Sequence, residues 1–213
     1  MSHPDDKPMD GRQVFIVDDD GSLREALSSL FRSVGMNVET FASADEFLAH
    51  PLPATPSCLV LDVRLQYSSG LEFQTQLQAS GIEIPIIFIT GHGDIAMTVK
   101  AMKAGAVDFL AKPFRDQDLL DAVSVALEKD RKRREDQKQT VQLQQIYATL
   151  TAREQEVMGY AASGLMNKQI ASEMNLSEIT VKIHRGHAMK KMQAKSFAEL
   201  VRMAELLGVR KKG

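Results

Sequence analysis

Asp62 is the side chain of this protein best suited to covalent chemistry, because Asp19, Thr90 and Lys112 are three groups that can be brought to it. An aspartate carboxylate can accept a phosphoryl group as an acyl phosphate. A threonine hydroxyl can donate to one phosphoryl oxygen, and a lysine ammonium offers a compact positive charge to another. Asp18, Asp19 and Asp20 are consecutive. A strand end alternates its side chains, so they cannot all point one way, and at least one is expected to meet Asp62. Carboxylates gathered together repel, and one is driven towards its neutral form unless a cation offsets them. Oxygen-only ligands with open positions for water suit Mg²⁺. The chemistry implied is a phosphoryl group and a divalent cation held in one pocket.

These residues are far apart in sequence, so only a fold can assemble them. Each follows a short apolar or β-branched run: Val14-Phe15-Ile16-Val17, Leu59-Val60-Leu61, Ile86-Ile87-Phe88-Ile89 and Val107-Asp108-Phe109-Leu110. Such runs read as buried strands of a parallel sheet, whose ligand site lies beyond the carboxyl ends of the strands. Helix signals alternate with them. Ser22-Leu23-Arg24-Glu25 reads as a capping box, followed by an apolar face of Leu23, Ala26, Leu27, Leu30, Phe31 and Val34 that Gly35 ends. Ser43-Ala44-Asp45-Glu46 reads as a second box. Further helices are expected over residues 70–79, with Leu71 and Leu77 inward, over 94–103, and from Asp116 onward. The pattern predicts a doubly wound α/β fold, (βα)5, with parallel strand order 2-1-3-4-5. Lys112-Pro113 is an X–Pro pair of the kind found cis at tight turns.

No glycine or proline occurs from Arg115 to Met158, so the helix opened at Asp116 is expected to run to about Tyr147, roughly 45–50 Å. Its middle third carries no apolar stripe and reads as a solvated helix. Val141, Leu143, Ile146, Tyr147 and Leu150 also allow a short parallel dimer seam; the pattern leaves both open. Beyond Leu150 the signals are those of a small helical unit. Thr151-Ala152-Arg153-Glu154 caps one helix, Asn167 opens a short second, Asn175-Leu176-Ser177 makes a tight turn, Ser177 caps a third, and Ser196 caps a fourth with Leu200, Met203, Leu206 and Leu207 inward. Two helices joined by a three-residue turn make a helix-turn-helix. Ile170, Ala171, Met174, Leu176, Val181, Ala188 and Met192 can form its core, leaving Lys182, Ile183, Gly186, His187 and Lys190 on the opposite face of the longer helix. Such a face suits the major groove. His184 and His187 lack a nearby third ligand and do not read as a metal site.

Charge divides the chain in the same place. Residues 1–127 carry 9 Lys and Arg against 18 Asp and Glu, a net −9, whereas residues 128–213 carry 17 against 10, a net +7. A polyanionic partner is therefore expected for the second half only. One cysteine, Cys58, excludes an internal disulfide framework and fits a reducing compartment. The first eleven residues are polar, and no segment has the length and hydropathy of a membrane span, so a cytoplasmic protein is expected.

Val17-Asp18-Asp19-Asp20, Leu61-Asp62, Thr90-Gly91-His92-Gly93-Asp94, Met102-Lys103-Ala104-Gly105-Ala106-Val107-Asp108-Phe109 and Lys112-Pro113-Phe114 resemble the receiver domain of bacterial response regulators, most closely the FixJ group with its StyR- and TodT-like members. The second half, through Asn167-Lys168-Gln169-Ile170-Ala171 and Thr180-Val181-Lys182-Ile183-His184-Arg185, resembles the LuxR/NarL-type helix-turn-helix. The resemblance implies a receiver over residues 1–127, a helical linker over 128–149 and a DNA-binding domain over 150–213. It implies Asp62 as phosphoacceptor, with Asp19, Asp62 and the Arg64 main-chain carbonyl as direct Mg²⁺ ligands and Asp18 acting through water. Thr90 and Phe109 would be a switch pair. Lys182 and Ile183, with Gly186 and His187 beside them, would face the bases; Lys168, Thr180, Arg185, Lys190 and Lys191 would meet phosphates. Expected partners are a sensor histidine kinase, paired DNA half-sites, RNA polymerase and a second copy of the chain. One departure is visible: Arg64-Leu65-Gln66-Tyr67-Ser68-Ser69 lacks the proline usual after the phosphoacceptor, although the spacing to Gly70 is kept.

Two other classes compete. A phosphatase or phosphotransferase with an aspartate nucleophile generally needs a second acid two residues on, where this chain has Arg64. A signalling adaptor would use its helical unit to bind protein; the 11 basic against 6 acidic residues of 151–213 argue against that.

Overall fold

The computed structural model describes residues 11–65, 69–91 and 95–211. The chain divides into two compact units, Met1–Arg134 and Glu135–Gly213. In the first, strands β1 (Gln13–Val17), β2 (Asn37–Phe41), β3 (Ser57–Asp62), β4 (Ile86–Thr90) and β5 (Asp108–Ala111) alternate with helices α1 (Gly21–Ser33), α2 (Ala44–Leu48), α3 (Gly70–Ala79), α4 (Ile95–Lys103) and α5 (Asp116–Ala148). All pairings are parallel and the strand order is 2-1-3-4-5. β1, β3 and β4 are buried along their whole length, which is why they read as unbroken apolar runs. The pleat divides them between two cores. Val14, Ile16, Val60, Ile87 and Ile89 pack with α1 and α5, while Phe15, Val17, Leu61 and Phe88 pack with α2, α3 and α4. In the second core Phe15, Phe41 and Phe47 meet edge to face or tilted, and Phe47 continues to Phe73.

The start of α1 differs from the sequence expectation. The cap is Asp20, whose carboxylate accepts from the amides of Ser22 and Leu23, so the helix begins at Gly21 and Ser22 is already inside it. Both residues can cap; Asp20 wins because β1 ends close enough to place it at the turn. On α3, Leu77 is buried but Leu71 only half so; Phe73 and Gln74 are the other buried side chains of that helix. Residues 66–68 and 92–94 lie outside the described residues, and with them the loop that lacks the usual proline and the expected helix start at Asp94. Lys112-Pro113 is cis.

Helix α5 runs unbroken through the division between the units. Its charged middle is not wholly solvated, contrary to expectation: Asp130 is fully buried. It accepts from the Ser57 amide at 2.9 Å, from Arg133 at 2.6 Å and from Arg134 at 2.5 Å. Arg134 also reaches the Ser57 hydroxyl. A buried carboxylate is tolerated only when its charge and lone pairs are met in this way.

The second unit holds the last turns of α5 and α6 (Ala152–Ala162), α7 (Asn167–Met174), α8 (Glu178–Lys191) and α9 (Phe197–Leu206). Thr151 and Glu154 form a reciprocal capping box on α6. Asn175 turns the chain between α7 and α8 in the left-handed conformation, φ 52°. The expected core residues separate into two clusters. Ile170, Ala171, Met174, Leu176 and Val181 pack with α6 on one side, and Ala188 and Met192 join α9 on the other. Leu143, Ile146, Tyr147 and Leu150 pack into the latter cluster. Four of the five residues open to a dimer seam are thus used within the unit, and Val141 alone of the five is left exposed. Leu206, expected inward, is 65% exposed; Leu200 and Ala204 carry the inward face of α9.

Candidate functional site

The first site lies where β1, β3, β4 and β5 end. Carboxylate oxygens of Asp18, Asp19 and Asp62 lie within 4.8 Å of one another, because β1 and β3 are neighbours in register, Val17 beside Leu61. The three consecutive aspartates do not divide by strand alternation, which would put Asp18 with Asp20: β1 has ended at Val17, Asp18 and Asp19 join the cluster, and Asp20 caps α1. Asp18 is fully buried. One of its oxygens accepts from the Asp20 amide at 2.8 Å and the other from the Lys112 ammonium at 2.9 Å, while Arg24 donates to its main-chain carbonyl. The Lys112 ammonium is also 3.6 Å from Asp62. Thr90 is fully buried at the end of β4, and the amide of Lys112 donates to its carbonyl. Phe109, on β5, is half-buried with its ring centroid 6.2 Å from that of Phe88. Arg64 forms an antiparallel bridge to Ser69, and its amide is placed where it lowers the pKa of the Asp62 carboxyl. Gly70 has to be glycine: a Cβ there would run into the main chain of Asp62 and Val63.

The electrostatics suit a charged ligand. Burial pushes the Asp62 carboxyl up, Lys112 pulls it down, Asp18 pushes it up again, and the Arg64 amide lowers and Asp19 raises it further; the net displacement is upward. Asp62 Oδ1 is buried and accepts no hydrogen bond. A buried anionic oxygen left in that condition is costly. An all-oxygen donor set with one unsatisfied carboxylate oxygen fits a hard divalent cation. Asp18, with both oxygens engaged, suits an indirect part in holding it.

The second site is the outer face of α8. Lys182, Ile183, Gly186, His187 and Lys190 are all exposed, and Val181 and Ala188 are buried. Lys168, on α7, is exposed too, and the Thr180 hydroxyl lies 2.8 Å from that of Ser177. Two residues expected at phosphates are engaged within the unit instead. Lys191 donates to Glu154 at 2.7 Å. Arg185 donates to Asn167 at 3.0 Å and stacks over Phe197, 4.9 Å from the ring centre. Glu154 was missed in the sequence, where it reads only as a capping residue. It is buried; burial alone would raise its pKa, but Lys191 and the Thr151 bonds outweigh that and hold it low. His187 is 3.8 Å from its other oxygen. Ile179, also missed, is 72% exposed on α8; its spacing of four from Ile183 was the available signal.

Two family models match the chain: "Response regulator receiver domain" over residues 14–124 and "Bacterial regulatory proteins, luxR family" over residues 148–204. Nodulation protein W of Bradyrhizobium diazoefficiens is 62% identical over 92% of this chain and 86% of its own. Response regulator protein TodT of Pseudomonas putida is 48% identical over 91% and 86%. Among solved structures, the response regulator StyR superposes with a TM-score of 0.76 at 51% identity, covering 91% of this chain and 98% of the other. The adaptor reading is disfavoured by the luxR-family match on the helical unit. Among the described residues no helix is long and apolar enough to cross a membrane. With an acidic receiver pocket at the strand ends and a helix-turn-helix of the LuxR type following it in the sequence, the chain belongs to the FixJ-like bacterial response regulators and is a phosphorylation-controlled regulator of transcription rather than an enzyme in its own right.

Proposed function

We propose that Asp62 accepts the phosphoryl group from a sensor histidine kinase and that the acyl phosphate then drives pairing of two copies and binding to paired DNA half-sites. The observation that carries this reading is the Asp62 carboxylate itself: buried, with one oxygen unsatisfied and the other 3.6 Å from the Lys112 ammonium. An Asp62 oxygen attacks the phosphorus of the kinase phosphohistidine in line; the P–O bond forms, the P–N bond breaks, and the imidazole leaves with its electron pair. Asp19, Asp62 and the Arg64 carbonyl would hold Mg²⁺, with Asp18 acting through water, and the bound cation would offset the charge of the carboxylates and of the phosphoryl oxygens. Lys112 moves from Asp18 towards the new phosphoryl oxygens, and the Thr90 hydroxyl donates to another. Phe109 turns into the space that Thr90 leaves, which changes the surface of α4, β5 and α5. The chain thereby assists its own phosphotransfer and slow dephosphorylation.

The working division is a receiver over 1–127, a linker over 128–149 and a DNA-binding domain over 150–213. Lys182, Ile183, Gly186 and His187 face bases; Lys168, Thr180 and Lys190 meet phosphates, with Arg185 and Lys191 as positioning residues that hold the recognition helix. Activation proceeds through RNA polymerase in the cytoplasm.

The test is selection from random-sequence DNA by the full chain, with and without Mg²⁺ and beryllofluoride, and with Asp62→Ala as control. Enrichment of an inverted repeat that needs both the mimic and Asp62 supports the reading. Enrichment indifferent to both would remove phosphorylation as the gate.

A further inference from the structure

Gly186 has no reason inside the protein to be glycine. It lies in α8 without a positive φ, and a Cβ placed on it would meet no atom within 4 Å. Glycine is the poorest helix former after proline, so the position lowers the stability of α8 without any packing return. Its neighbours on the helix face are Ile179 and Ile183, at offsets of seven and four from the first that place all three on one side. These isoleucines are 72% and 51% exposed. The core uses the other side of the helix, through Val181 and Ala188. Two uncovered branched apolar side chains beside a position with no side chain make a shallow apolar notch on a helix otherwise faced with Lys182, His187 and Lys190.

We infer that Ile179, Ile183 and Gly186 form a reading notch for the C5-methyl of a thymine, so that each half-site has a T·A pair fixed at that position. The inference rests on the DNA-binding reading above and adds Ile179 and the missing side chain of Gly186 as specificity determinants. The thymine methyl is the apolar group that base edges present in the major groove. Without a Cβ at 186 the helix backbone approaches the base edges more closely, and the isoleucines supply van der Waals walls on the methyl.

The experiment starts from the sequence selected by the full chain with Mg²⁺ and beryllofluoride. Each thymine is replaced in turn by deoxyuracil, which removes only the methyl, and affinities are measured for the parent, Gly186→Ala, Ile179→Ala and Ile183→Ala, with thermal unfolding alongside. One deoxyuracil per half-site weakens the parent roughly fourfold, and Ile179→Ala and Ile183→Ala both lose most of that sensitivity. Gly186→Ala melts at the same or a higher temperature, yet its ratio of operator to scrambled-DNA affinity falls at least roughly tenfold. Operator binding by Gly186→Ala equal to the parent, or indifference of the parent to every deoxyuracil, would overturn the notch while leaving DNA binding intact. Failure of the parent to enrich any sequence would overturn DNA binding and the notch together.

Discussion

At Asp62 the geometry that makes a phosphoacceptor also costs the metal-free chain some stability. Its folded pKa lies above the unfolded one, so the group favours the native state only where it is protonated. That contribution is lost as pH rises through the folded value, and at neutral pH the charge disfavours folding. Asp62→Asn should therefore raise the stability of the Mg²⁺-free chain by about 1 kcal/mol, a Tm shift of roughly 2–8 °C, with the difference closing in acid and narrowing when Mg²⁺ is added. Thermal unfolding at several pH values checks this; equal Tm values at neutral pH would refute it. Glu154 has the opposite sign. Its pKa is held low, so its contribution is present above the unfolded value and lost as pH falls through the folded one. Glu154→Ala should cost about 1–2 kcal/mol at pH 7 through the lost cap and the Lys191 bond. The cost should shrink below about pH 4, where the parent loses the same interactions. Urea unfolding of the full chain at both pH values is the measurement.

Helices in this protein are held by a few long-range polar anchors as much as by apolar faces. Asp130 ties α5 to the first residue of β3 through the Ser57 amide, with two arginines closing the network. Asp130→Ala would strand that amide and leave Arg133 and Arg134 without their buried partner, which should destabilise the first unit by roughly 3–5 kcal/mol. Asp130→Asn, which keeps an acceptor, should cost less. A chemical-denaturation midpoint for Asp130→Ala within error of the parent would show the network to be dispensable. α8 shows the complementary case. Its inner face is small, Val181 and Ala188, and its orientation is reinforced by Arg185 on Asn167 and Phe197 and by Lys191 on Glu154.

Over the whole molecule the charge asymmetry sets the response to salt. Lys168 and Lys190, expected on DNA phosphates, and Lys182, expected on bases, are exposed; Lys191 is exposed too but is paired with Glu154. Two phosphates neutralised per bound copy, by Lys168 and Lys190, give a slope of about −1.8 in log affinity against log salt, or roughly twelvefold between 50 and 200 mM. Lys190→Ala should make that slope shallower by about 0.9 per copy. Lys191→Ala should lower affinity through a less rigid α8 and leave the slope unchanged. Filter binding across a salt series separates the two, and equal slope changes would place Lys191 on the DNA.

The sequence alone determined the strands that lead to Asp18, Asp62, Thr90 and Lys112, the doubly wound order, and the turn between α7 and α8. Buried parallel strands are continuous apolar runs and helix caps are local, so both are visible without the fold. Tertiary structure decided what depends on partners distant in sequence. It chose Asp20 over Ser22 as the cap of α1 and left Asp18 and Asp19 for the pocket. It buried Asp130, whose partner Ser57 is 73 residues away, inside a stretch that by pattern is an ordinary charged helix. It paired the exposed Lys191 with the buried Glu154 and not the neighbouring Lys190, a distinction between adjacent identical residues that only the position of Glu154 can make. Local periodicity tells which face of an element is apolar; it carries no information about which charge on the other face finds a counter-charge across the fold.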